Sequence, residues 1–147
     1  DATEWVGPYN DLAFGFQQIA KYYYFPGWHE PGSMLEFIIN LDAWNELPTH
    51  LQSIVKTAAK AVNQDLLDEY TAMNNQALRE LIDVHNVQLK KLPDDVINEF
   101  RVISKSVLDE IAENDKQFKS IYESYLKFKS EVVSYHEISE DAYTKIR

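Results

Sequence analysis

Apolar positions along the chain advance by threes and fours from Leu51 through Val55, Ala58, Val62, Leu66, Tyr70, Met73 and Ala77 to Leu81. That spacing is one continuous helical stripe. It predicts a helix from about residue 48 to about residue 84, roughly 55 Å long at about 1.5 Å per residue. A compact domain of this size has a radius of gyration of only about 15 Å. The helix is therefore expected to kink or to project beyond its own domain, and the polar run Met73-Asn74-Asn75-Gln76 is the weakest place for it to stay straight. Pro48 suits the first turn, where a missing N–H costs nothing. A second apolar face, Val96, Ile97, Phe100, Ile103, Val107, Leu108 and Ile111, predicts a helix opened by Pro93-Asp94-Asp95, with acids at its positive end. Asn114-Asp115 breaks it and caps a third helix carrying Phe118, Ile121, Tyr122, Tyr125, Leu126 and Phe128. The tail from Glu131 to Arg147 is expected to be a loop and a short terminal helix.

Before Pro48 the pattern is different. Thr3-Glu4-Trp5-Val6 is short and β-prone and stops at Gly7-Pro8. Asn10 or Asp11 caps a short helix expected to reach Lys21. Tyr22-Tyr23-Tyr24-Phe25 suits a strand stopped by Pro26-Gly27, and Met34 to Asn40 reads as the best strand of the chain. Asp42 to Glu46 forms one helical turn, and Val87-Gln88-Leu89-Lys90 alternates as a short strand does.

Composition sharpens the division at Pro48. Residues 1–47 hold all four glycines, three of the five prolines and 11 of the 19 aromatic residues, with seven acids against the single base Lys21. Residues 48–147 contain no glycine and read as helix after helix. Two segments are expected: 1–47, strand and loop, and 48–147, helical with one short strand near 87–90. At 147 residues, 45% hydrophobic and 26% charged, the chain is globular in composition. It has no cysteine, which excludes disulfides, thiolate catalysis, zinc fingers and iron–sulfur clusters within this chain. A net charge of −10 lacks the basic face of a nucleic-acid binder. No run of about 18–20 apolar residues would span a membrane, and no signal peptide is visible. The first residue is Asp1, so a processed product or a piece of a longer chain is expected.

Chemistry-bearing residues are few. Glu4-Trp5, just before the Gly7-Pro8 break, places a carboxylate beside an exposed main-chain carbonyl, a plausible hard-cation or ligand site, although a solvated acid beside a core tryptophan explains it as well. Asp1, Glu4, Asn10 and Asp11 lack EF-hand spacing, and capping accounts for Asn10-Asp11. No two of His29, His50, His85 and His136 are three or four apart, so no zinc pair sits on one helix; His29 stands out only for its glycine–proline loop, beside Trp28 and Glu30. Tyr22-Tyr23-Tyr24 with Phe25 and Trp28 stacks a ligand or packs a strand on both faces. There is no phosphate-binding glycine loop and no nucleophile elbow, and nothing in the spacing argues for catalysis.

Three ordered strings carry a resemblance. They are Ala2-Thr3-Glu4-Trp5-Val6-Gly7-Pro8, Ala20-Lys21-Tyr22-Tyr23-Tyr24-Phe25-Pro26-Gly27-Trp28-His29-Glu30-Pro31-Gly32, and Ile38-Ile39-Asn40-Leu41-Asp42-Ala43-Trp44-Asn45-Glu46-Leu47-Pro48. Together they resemble the C-terminal part of the substrate-binding proteins of TRAP transporters, in the α-keto-acid-binding branch of the DctP family. Tyr122-Glu123-Ser124-Tyr125-Leu126-Lys127-Phe128 is similar to that family's late helix, so the likeness covers essentially the whole chain. It implies an α/β, helix-rich fold: the C-terminal part of a two-lobe periplasmic-binding-protein fold with a long helix after Pro48, residues 1–47 lying at the interlobe cleft. It implies a periplasmic, exported receptor that captures a small 2-oxo or hydroxy acid, not an enzyme, and delivers it to TRAP membrane subunits. Na+ or a divalent cation such as Ca2+ would bridge protein and ligand. Glu4 matches the family's carboxylate ligand, and Trp5 matches its main-chain carbonyl ligand and aromatic wall, so both are expected substrate- and metal-binding residues. The family's carboxylate-pairing arginine lies upstream of the Glu-Trp element, and Arg79, Arg101 and Arg147 do not match it. The branch also pairs by exchanging a helix near the C-terminus, which agrees with the helix-length arithmetic and implies a homodimer through the long helix. The alternative is a helical dimerisation or interaction module that binds no ligand by itself.

Overall fold

A computed structural model describes residues 2–30, 32 and 35–147. The chain divides into two compact units, residues 1–92 and 93–147. The composition change at Pro48 falls inside the first.

In the first unit, helix α1 runs Pro8–Ala13 and is followed by a 3-10 turn at Phe16–Gln18. The single helix expected from Asn10 or Asp11 to Lys21 is thus shorter and starts earlier. Pro8 occupies the first turn, where its fixed φ favours helix. Gly15 has φ +77°, a left-handed conformation that ends the helix. Strand β1, Tyr22–Phe25, pairs in parallel with β2, Gln88–Lys91, in the register Tyr22 to Gln88 through Phe25 to Lys91. The ladder is continued by Gln88 N donating to Lys21 O at 2.9 Å and Leu92 N donating to Phe25 O at 2.7 Å.

Two expected strands do not form. Residues 3–6 carry no regular structure, and neither do residues 35–40; Met34, the first residue of that expected strand, lies outside the described residues. Leu35, Phe37 and Ile38 are exposed. β-branched and aromatic residues favour a strand through packing on neighbouring strands, and none among the described residues lies beside this segment. Asn40 instead caps helix α2, Leu41–Glu46, its side chain accepting from Ala43 N at 3.1 Å.

Helix α3, Thr49–Asp83, is 35 residues long and uninterrupted, about 52 Å at about 1.5 Å per residue. Pro48 stands at its N-cap, one position before the first turn, and accepts from Leu51 N and Gln52 N. Gln52 Nε2 donates to Trp44 O at 2.8 Å and Leu47 O at 3.2 Å, and Lys56 lies over the Trp44 ring, so α2 is stitched to the start of α3. The polar run at residues 73–76 does not break the helix. Asn74 uses its Oδ1 to accept from Tyr9 N at 2.9 Å, and Tyr9 packs edge-on against Tyr70, so the stretch is where α1 docks. Ala77, Leu81 and Val87 are buried and form the core of this unit, next to β2 and the α1 contact.

The second unit holds α4 (Asp94–Asn114), α5 (Lys116–Ile138) and α6 (Glu140–Lys145). Asp115 ends α4 and caps α5, its carboxylate accepting from Gln117 N at 2.8 Å and Phe118 N at 3.0 Å. The loop expected after Glu131 is helix as far as Ile138. No glycine or proline interrupts it, and the hydroxyls of Ser130 and Ser134 bond back to helical carbonyls. Ile97 is buried in this unit.

Leu81 is 2% exposed, the most deeply buried large side chain described. Leu81→Ala is expected to lower the unfolding free energy by about 2–5 kcal/mol in urea titrations, the cost of lost burial plus a residual cavity.

Candidate functional site

Segment 2–7, α1, the 3-10 turn and β1 wrap a cavity of about 900 Å³ in the first unit, closed from below by Asn74 and Leu78 of α3 and Leu89 of β2. The sequence bunches aromatics and acids here, and the fold turns many of them to one concavity. Glu4, Trp5, Asp11, Lys21, Tyr23 and His29 all line it. Lys21 is the one base in residues 1–47, so the positive side chain of this segment lies on the same wall as its acids.

Glu4 and Trp5, the expected ligands, therefore lie together on the cavity wall. Glu4 Oε1 is 3.3 Å from His29 Nε2, both side chains being partly solvated. Trp5 meets Phe14 edge-on with ring centroids 5.6 Å apart. That contact fixes the indole and with it the run of main chain next to Glu4. His29 is brought to Glu4 by the loop after β1. The other histidines stay apart from the cavity: His85 is paired with Glu80, His136 with Glu140, and His50 is exposed.

Asp11 is what the sequence pattern misassigned. It caps nothing: α1 begins at Pro8 after Gly7, so Asp11 falls within the first turn and points inward. It is 5% exposed, the only buried polar side chain among the described residues. Its Oδ2 accepts the Tyr23 hydroxyl at 2.5 Å, within the range of a charge-assisted bond. Its Oδ1 is buried with no hydrogen-bond partner. Burial raises the Asp11 pKa above the ordinary aspartate value; the Tyr23 hydrogen bond works against that shift, the charge of Glu4 adds to it, and the nearby Gly7 backbone N–H opposes it, although its geometry falls short of a full hydrogen bond to Oδ1. Burial, and then the Asp11 carboxylate, push the Tyr23 hydroxyl far above the usual tyrosine range, so Tyr23 remains a donor. No short-range signal marks Asp11, because its partner is a strand residue twelve positions away.

The Glu4 carboxylate on this wall is a hard oxygen donor, the chemistry of Na+ or Ca2+ and not of a soft metal. Among the described residues no group of three or more His, Cys, Asp or Glu side chains converges as a complete metal site. Any ion here would therefore draw further ligands from main chain, from its own ligand molecule, or from other segments.

Residues 1–115 match the family model of bacterial extracellular solute-binding protein family 7, DctP. The chain belongs to this family. A monocarboxylate 2-oxoacid-binding periplasmic protein from Nostoc sp. (strain PCC 7120) is 37% identical over 143 residues, covering 97% of this chain and 39% of that protein. The crystal structure of a TRAP transporter solute-binding protein from Bordetella bronchiseptica superposes with a TM-score of 0.91 at 32% identity, over 99% of this chain and 43% of the other. That structure is described as a mixed-occupancy dimer, with copurified calcium and picolinate in one active site and the other apo. The chain thus spans about two fifths of the length of these relatives. Its fold is α/β and helix-rich, that of the C-terminal part of a two-lobe TRAP receptor. No helix among the described residues is long and apolar enough to cross a membrane.

The raised Asp11 pKa has a definite sign for stability. Folding favours the neutral carboxyl, so the benefit is complete below the ordinary aspartate value and disappears as pH rises through the higher folded value. Asp11→Asn is therefore expected to match the wild type in urea stability at about pH 3 and to exceed it at about pH 7.

Proposed function

We propose that this chain is the C-terminal portion of a periplasmic TRAP receptor that captures a small 2-oxo or hydroxy acid, bridged by Na+ or Ca2+, for delivery to the TRAP membrane subunits. The observation that carries the reading is the placement of Glu4 and Trp5 on one wall of a cavity rich in aromatic side chains. The relatives agree in chemistry, one being named for 2-oxoacids and the other holding calcium with picolinate, an aromatic acid.

The physical difficulty for such a site is charge. The chain is −10 overall, and Glu4 would repel a ligand carboxylate. A bound cation supplies the positive charge that lets two anionic groups share the cavity. Glu4 offers one carboxylate to that charge, and the Trp5 carbonyl offers a neutral oxygen beside it. Trp5, Phe16 and Tyr22 line the wall with aromatic surface, and an acid seated against it would displace water and strengthen each polar contact. Lys21 lies on the same wall, held over the Tyr22 ring at 5.6 Å, and adds local attraction for an acid. Selectivity for an anion then arises from these local groups, since the overall field opposes it.

In the full-length protein, Glu4→Ala is expected to weaken calorimetric binding of pyruvate in the presence of Ca2+ by about 100-fold or more, with the helical circular dichroism unchanged. Unaltered affinity removes Glu4 from the site.

A second component of the reading is a homodimer through α3. On one stripe of its first half Leu51, Val62 and Leu66 are 38%, 63% and 36% exposed. Beside them Phe37, Ile39, Trp44 and Val55 line an apolar groove of about 350 Å³. Exposed apolar surface of this continuity marks a contact face, and it is equally the feature of a pure interaction module. Leu66→Asp is expected to shift the sedimenting species towards the monomer; an unchanged mass removes the helix from the interface.

A further inference from the structure

We propose that Asp11 is an outer carboxylate of the Glu4 site, strengthening cation binding through its buried negative charge without ligating the ion. The inference rests on the cation-bridged reading above and extends it to a residue that reading does not use.

Three observations on geometry carry it. Asp11 lines the same cavity as Glu4, from α1, the helix that directly follows the Glu4-Trp5 segment. It is 5% exposed, and one carboxylate oxygen has no hydrogen-bond partner. A buried acid with an orphaned oxygen is costly to folding, and such groups call for an explanation in function, ion or water. The Tyr23 hydroxyl holds the other oxygen at 2.5 Å, so the carboxylate is fixed in place instead of turning out to water. Because the partnerless oxygen is fully buried, direct ligation is closed to it, and the charge acts across the wall.

The electrostatics are consistent. The charge of Glu4 is felt at Asp11 and disfavours its ionised form, so two acids share one low-dielectric wall at a mutual cost. A cation at Glu4 would relieve that repulsion, and the relief appears as affinity. Besides Asp11 and Tyr23, the titratable groups on the cavity are Glu4, Lys21, Tyr22, Tyr24, His29 and Glu30. Lys21 and His29 are the bases among them; His29 lies against Glu4 and Lys21 over Tyr22.

The test uses the full-length protein and terbium luminescence with Ca2+ competition, comparing Asp11→Asn with Tyr23→Phe. Asp11→Asn removes the charge and keeps an acceptor for Tyr23; Tyr23→Phe removes the hydrogen bond and keeps the charge. The expected result is a Ca2+ affinity about 10–100-fold weaker in Asp11→Asn, without loss of stability, and a smaller loss in Tyr23→Phe. Equal losses in both variants, or none in Asp11→Asn, overturn the inference. If the wild type itself binds neither terbium nor Ca2+, it is the cation-bridged reading that fails. Should Asp11→Asn not fold, the wild type still decides: the titration of the Asp11 carboxyl followed by carbon-13 resonance is expected to move to lower pH when Ca2+ is added, and a titration that does not move overturns the proposal.

Discussion

A carboxylate buried beside a strand ties the site together. Asp11 on α1 accepts from Tyr23 on β1, while Tyr9, two residues earlier, donates its backbone N–H to Asn74 on α3. Through these two hydrogen bonds one short helix is fixed against both a strand and the long helix. An isolated helix of six residues would not persist in water. Its position comes from polar contacts at both faces, and the Glu4-Trp5 segment, which has no regular structure of its own, enters directly from it. The cavity wall is therefore only as well defined as the placement of α1.

The same wall carries more acids than bases: Glu4, Asp11 and Glu30 against Lys21. Evolving a fold with Glu4 and Asp11 facing one concavity lowers stability at neutral pH, since an ionised buried acid is disfavoured. Stability and affinity are opposed at such a position: the substitution that relaxes the fold is the one that removes the field a cation would meet. His29 is a surface-grade partner for Glu4, 3.3 Å away and half exposed, and an exposed pair of this kind contributes little to stability. It leaves Glu4 available for exchange with a more strongly charged partner.

What was legible in the sequence follows from the range of the interactions. The stripe from Leu51 to Leu81 is a local, period-3.6 signal, and α3 runs within a residue or so of the expected bounds. Asp115 as a break and cap is equally local. Tyr22–Phe25 and the strand near residue 88 were readable as strands, though not as partners of one another in parallel, because pairing across more than sixty residues leaves no mark in either segment. Residues 35–40 show the converse: strong β propensity without a neighbouring strand gives no strand. The family is shown by the match to residues 1–115, while the roles of Glu4 and Trp5 are what the resemblance implies; Asp11 was hidden behind a plausible capping role. Its contact with Tyr23 and its burial are not visible in the order of residues.

The proposed function requires a cation shared between Glu4 and an acid in the cavity. Its most direct measurement is a crystal structure of the full-length protein grown with pyruvate and Ca2+, with the ion located by anomalous scattering. The account predicts an ion about 2.3–2.6 Å from a Glu4 carboxylate oxygen and from the Trp5 carbonyl, with the acid completing its shell. Pyruvate bound elsewhere, or in this cavity with Glu4 still against His29 and no ion beside it, would contradict it.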